Sequence, residues 1–135
     1  CNWAFGWMLG RFFPDFNNLN DGSITAMISD NFAIMFLGTA IFVPVAEEAL
    51  HRGLIFGCLY PKSHAAAYIL STAIFASVHI LGYVGVYSLP HLILAFIQYV
   101  PAGLTLAWAY RKSGCIFAPM LMHAVINAVG VITQR

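Results

Sequence analysis

Residues 45–58 read VAEEALHRGLIFGC. Two adjacent carboxylates, Glu47 and Glu48, and one guanidinium, Arg52, stand in a run that is otherwise apolar. Between Asn31 and Tyr60 there is no other Asp, Glu, Lys or Arg. Inside a bilayer each ionised group costs on the order of 2.5–3.5 kcal/mol on insertion scales, so such residues need partners and mark a functional site. The fold therefore turns on two questions: whether this segment lies in a membrane, and which other helices could meet its charges.

Composition answers the first question. The chain is 61% hydrophobic and 8% charged, with mean hydropathy +0.81. Soluble domains carry roughly 45–50% apolar and about 25% charged residues, so this chain has too little polar surface to face water. It reads as an integral, multi-pass membrane protein, in the plasma membrane if the source is bacterial, with the lipid bilayer as its first partner. A formal net charge of +1 says nothing about partners, while the lack of a basic run to bind phosphates argues against nucleic acid.

The 135 residues read as one domain, 1–135, of the all-α class: a polytopic transmembrane helix bundle with four main spans plus a partial N-terminal helix. Residues 1–10 are apolar but too short to span, and the chain opens on Cys1 rather than Met, which predicts that upstream helices are missing. Cys1, Cys58 and Cys115 form neither a paired framework nor a metal knuckle, and Cys58 and Cys115 read as small apolar packing residues. Residues 12–30 read as an extramembrane loop, with Asp15, Asp21 and Asp30 in turn or cap positions.

Apolar runs predict spans at about 31–60, 65–81, 91–110 and 117–133. The first exceeds the roughly 20 residues a span needs. Pro44 predicts a break in it, because proline removes a backbone donor and frees a carbonyl one turn earlier. The second span is rich in small residues, which lets helix backbones approach closely. Pro101 and Gly103 predict a flexure in the third.

Depth can be counted from the turns at 61–64 and 111–114, which lie on one side of an alternating bundle. At 1.5 Å per residue, Glu47 lies about 20 Å from its turn, His79 about 22 Å, Asn127 about 20 Å and His123 about 13 Å. Glu47, His79 and Asn127 thus share one level of the bilayer, with His123 a turn away, and the third span adds only Gln98 near that level. Glu48 and Arg52 are spaced i, i+4 for an ion pair on one helix face, which turns Glu47 elsewhere, and His123 and Asn127 are spaced likewise. His51, His64 and His91 fall off this level or at helix ends and read as packing or interface residues. Phe75 reads as a packing residue beside the cavity. Ser88 lacks the setting of a serine nucleophile.

Three motifs now stand in order on separate helices: Glu47-Glu48 with Arg52, Phe75 with His79, and His123 with Asn127. They resemble the Glu-Glu-x-x-x-Arg, Phe-x-x-x-His and His-x-x-x-Asn/Asp motifs of the CPBP family, the CAAX-prenyl-protease and bacteriocin-processing intramembrane proteases. The lead-in SGCIFAPMLMH before His123 is also similar to that family's. His51 stands where the family commonly has an aromatic residue. The resemblance implies an intramembrane endopeptidase acting on a peptide or prenylated peptide.

Peptide hydrolysis needs an activated water, a stabilised oxyanion and a proton for the leaving amine. On this reading Glu47 and His79 hold and deprotonate the water, His123 and Asn127 stabilise the oxyanion, and Glu48 with Arg52 supports them. The family has been read as metal-dependent and as glutamate-dependent. Glu47, His79 and His123 would make a three-ligand zinc site, whereas no HExxH pattern favours zinc independently; metal-free activation is the preferred expectation and the cofactor stays open. Two other classes compete. A proton or ion carrier would use Glu47, Glu48 and His79 as a relay, and an idle immunity or scaffold protein would need none of these side chains.

Overall fold

The computed structural model describes residues 11, 12, 27 and 31–133; the expectations for a partial N-terminal helix, Cys1, Asp15, Asp21 and Asp30 lie outside them. Four helices follow in order: α1 (Phe32–Leu59), α2 (His64–Leu81), α3 (Leu89–Ser113) and α4 (Phe117–Thr133). The first three are long and apolar enough to cross a membrane, and α4 is a shorter apolar helix of 17 residues. Among the described residues no strand forms.

Local chemistry sets the ends. The Asn31 side chain accepts from the Ile34 N–H at 3.1 Å and Ser63 Oγ from the Ala66 N–H at 3.2 Å, each satisfying a donor that a helix start leaves over. Pro90 lies in the first turn of α3, where its missing donor costs nothing. This is why α3 starts ahead of the expected boundary. Gly114 ends α3 with φ +64°, a left-handed conformation that only glycine adopts freely.

Pro44 does not break α1. The helix instead widens to an i→i+5 pattern over Gly38–Phe42, where the Val43 N–H bonds the Gly38 carbonyl, before resuming as α-helix at Val43. The wider turn moves the preceding carbonyls away from the proline ring, which would otherwise clash one turn back. In that register the carbonyl left without a backbone donor is Thr39's, five residues before Pro44. Asn127 of α4 fills the gap: its Nδ2 donates to Thr39 O at 3.0 Å. A second wide stretch, Ala49–Phe56, carries His51 and Arg52; single wide turns of this kind recur at functional sites.

The first part of α1 packs on α4 and its second part on α2, while α2 lies along α3 and α3 along α4. Glu47 and Glu48 sit where α1 passes from one neighbour to the other. Small side chains let α2 and α3 approach: Ala67 and Ala107 pack with Phe56, and Ala76 and Ala102 pack with Phe75, Tyr99 and Leu106. The polarity runs opposite to that of a soluble protein. Glu48, His51, Arg52, Ser71, Thr72, Gln98 and His123 are buried, while Ile69, Val78, Trp108, Leu121 and Val129 face outward. Apolar outside with charge inside is the arrangement a bilayer demands, and the chain is an integral multi-pass membrane protein.

Candidate active site

Arg52 is fully buried and holds two helices together. Its Nη1 donates to Glu48 Oε1 at 3.0 Å, its Nη2 donates to the Gly103 carbonyl of α3 at 2.8 Å, and its guanidinium carbon lies 4.8 Å from the centre of the Phe75 ring. The expected i, i+4 pair is therefore present and has neither member exposed. Glu48 Oε1 also takes a hydrogen bond from His123 Nδ1 of α4 at 2.9 Å. A carboxylate only accepts, so His123 carries a hydrogen on Nδ1 and turns Nε2 to the other side.

His79 is fixed by the same logic. Its Nδ1 lies 2.8 Å from the Phe75 carbonyl one turn back, and a carbonyl can only accept. Nε2 then faces Glu47. The imidazole also stacks on Tyr99 of α3, with centroids 4.2 Å apart and planes 28° from parallel.

Glu47 completes the cluster. Its Oε2 lies 4.0 Å from His79 Nε2 and 3.8 Å from His123 Nε2. That oxygen is buried and has no hydrogen-bond partner. These separations exceed the roughly 3.2 Å limit of a direct hydrogen bond, yet two bonds of about 2.8 Å through one water span up to about 5.6 Å. Glu47 and His79 are each about one-fifth exposed, at 20% and 17%, so the group borders a surface rather than a sealed core.

Glu47 and His79 thus meet as the depth count expects, His123 joins them although the count sets it a turn away, and the Glu48–Arg52 pair stands behind them. Asn127, one turn beyond His123 on α4, instead donates from Nδ2 to the Thr39 carbonyl, eight residues before Glu47 on α1. His51 is buried, donates from Nδ1 to the Glu47 carbonyl at 2.7 Å and sets its ring edge-on to Phe75. It braces the backbone beneath Glu47, in keeping with a packing role. Phe75 touches Arg52, His51, His79 and His123 with one ring. The sequence reading missed Tyr99 and the Gly103 carbonyl. Both depend on how α3 is rotated about its axis, which an apolar run of this length leaves open.

The donor types here would suit a divalent ion, since two oriented imidazoles and a carboxylate are common ligands. Their spacing is wide for one: tetrahedral ligands at about 2.0 Å stand about 3.3 Å apart, against 3.8 and 4.0 Å here. Among the described residues no group of three His, Cys, Asp or Glu side chains is placed to hold an ion.

Known proteins resemble the chain over most of its length. "Putative membrane peptidase YdiL" of Bacillus subtilis (strain 168) is 33% identical over 102 residues, 75% of this chain and 37% of that protein. "UPF0177 protein YxdF" of Lactococcus lactis subsp. lactis (strain IL1403) is 36% identical over 90 residues, 67% of this chain and 44% of that protein. The chain therefore spans less than half the length of these two curated relatives. No solved structure matches it. The family model described as type II CAAX prenyl endopeptidase Rce1-like matches residues 29–129, which take in Glu47, Glu48, Arg52, His79, His123 and Asn127. With three motifs on separate helices and most of its length matched, the chain belongs to the Rce1-like family of type II CAAX prenyl endopeptidases.

Proposed function

We propose that the protein is an intramembrane endopeptidase that hydrolyses a peptide bond with a water held between Glu47 and His79. The observation that carries this reading is Glu47 Oε2, buried, unpartnered and within 4.0 Å of two imidazole Nε2 atoms. A water donating one hydrogen to Glu47 and one to the neutral His79 turns its lone pairs away from both, toward an incoming carbonyl. As the oxygen bonds the carbonyl carbon, the Glu47 carboxylate takes a proton. Collapse of the tetrahedral intermediate expels the amine, which takes that proton back, so the products are one acid and one amine.

The oxyanion is stabilised by His123 and Asn127. His123 gives Nδ1–H to Glu48, so a hydrogen bond to the oxyanion requires a second hydrogen, on Nε2. Asn127 spends one amide hydrogen on Thr39 and keeps a second for the substrate. Glu48 and Arg52 hold His123 in place. Every step uses groups of this chain, and none passes through a metal ion. The family name suits a peptide with a C-terminal prenylcysteine motif, presented from the bilayer.

The test is cleavage of a library of prenylated and unprenylated peptides by the purified full chain in detergent. Glu47→Gln is expected to lower kcat at least about 100-fold, the usual contribution of a positioned general base, while a chelator leaves the wild-type rate unchanged. Loss of activity with the chelator, or full activity in Glu47→Gln, refutes the mechanism.

A further inference from the structure

We infer that Gly103 is a positioning residue for His123, acting through Arg52 and Glu48, and that the position must be glycine for this reason. The inference rests on the peptidase reading only for its activity readout. Its geometry stands on four contacts. The Gly103 carbonyl accepts from Arg52 Nη2 at 2.8 Å. The other arm of the guanidinium holds Glu48 Oε1 at 3.0 Å, and the same oxygen accepts from His123 Nδ1 at 2.9 Å. A backbone carbonyl on α3 is thereby connected to the imidazole on α4 through two side chains of α1. All three side chains are buried, so no competing solvent contact loosens the connection.

The side-chain space at Gly103 is closed. A Cβ there would lie 2.8 Å from Thr72 Cγ2, 3.3 Å from Phe75 Cδ1 and 3.4 Å from Thr72 Cα. The first distance is one that real Cβ atoms essentially never show. Thr72 is poorly able to give way, because a β-branched side chain in a helix has few χ1 choices and its Cα is close as well. Phe75 has little freedom either. Its ring carries Arg52 on one face and contacts His79 at 4.6 Å and His123 at 5.8 Å between centroids. An added methyl therefore pushes α3 from α2, drawing the carbonyl away from Arg52, or turns Phe75 against both imidazoles. Either movement reaches His123.

The test compares wild type, Gly103→Ala, Thr72→Ser and Thr72→Ser/Gly103→Ala in the full chain. Two readouts are used: peptide cleavage, and the imidazole 15N resonances of His123, assigned by loss of signal in His123→Asn. Gly103→Ala is expected to shift the His123 Nδ1 signal and lower kcat/KM by about 100-fold, the loss that a misplacement of about 1 Å can cause. Thr72→Ser removes Cγ2 and keeps the hydroxyl, so it leaves both readouts unchanged. The double variant recovers the wild-type 15N signal and activity to within about threefold. If Gly103→Ala alone yields no folded protein, recovery of folded protein in the double variant is the same rescue.

A wild-type 15N signal and activity in Gly103→Ala overturn the inference. So does a double variant no closer to wild type than Gly103→Ala. A wild type that cleaves no peptide sinks the peptidase reading instead, and the 15N comparison still decides the role of Gly103.

Discussion

Replacing Arg52 by methionine separates what holds the bundle together from what performs chemistry. The guanidinium makes one bond to Glu48, one to the Gly103 carbonyl and one cation–π contact with Phe75, all without exposure. Removing one partner of a buried ion pair costs about 3–5 kcal/mol, because the other charge stays buried and unneutralised. Methionine restores much of the packed volume, so the loss in Arg52→Met comes chiefly from the stranded Glu48 and falls in that range. Replacing both partners with apolar residues is often neutral, so Glu48→Leu/Arg52→Met is expected to return to within about 1 kcal/mol of wild type. Activity does not return, because His123 Nδ1 has lost the acceptor that turns Nε2 toward Glu47. The assay is reversible unfolding in mixed micelles of increasing SDS content, followed by far-UV ellipticity, with peptide cleavage measured on the same preparations. An Arg52→Met protein within 1 kcal/mol of wild type refutes this account of the pair. So does a double variant that is stable and fully active.

Two further perturbations test the backbone features that place the site. Asn127→Ala strands the Thr39 carbonyl and is expected to destabilise by about 1–3 kcal/mol; adding Pro44→Ala supplies a backbone N–H to that carbonyl, so the same micelle titration should show the Asn127 effect much reduced in that background. Gly114→Ala forces a side chain into the left-handed region at φ +64° and is expected to cost about 1–2 kcal/mol, read as a shifted unfolding midpoint with the wild-type helix content.

The spans were legible because the apolar runs are long and the breaks between them are chemically plain. The last was expected at 117–133, where α4 runs from Phe117 to Thr133. The third runs past its expected 91–110 at both ends. Pro90 starts the helix rather than preceding it, and Arg111, Lys112 and Ser113 extend it to the glycine stop at Gly114. Counting residues from the turns puts Glu47, His79 and Asn127 at one level and His123 a turn away. The structure keeps Glu47 beside His79 but brings His123 to them and sets Asn127 on the Thr39 carbonyl, an offset of about one turn on the last helix. What a residue count cannot give is rotation about an axis or a change of helical register. Pro44 predicts a break, yet a wide turn ahead of it absorbs the proline and Asn127 takes up the carbonyl it leaves. The stacking of Tyr99 on His79 and the bond from Arg52 to Gly103 depend on the face α3 presents. That face is chosen by small-residue packing against α2 rather than by any polar pattern.

The central claim is that a carboxylate and two imidazoles from three helices share a space one water wide. Rotational-echo dipolar recoupling between 13Cδ of Glu47 and the imidazole nitrogens of the full chain in lipid bilayers measures this directly. The His79 and His123 signals would be assigned by their loss in His79→Asn and His123→Asn. Simultaneous dephasing from both Nε2 atoms, at separations matching Oε2–Nε2 distances of 4.0 and 3.8 Å, is the predicted result. Dephasing from only one imidazole, or from neither, contradicts the account.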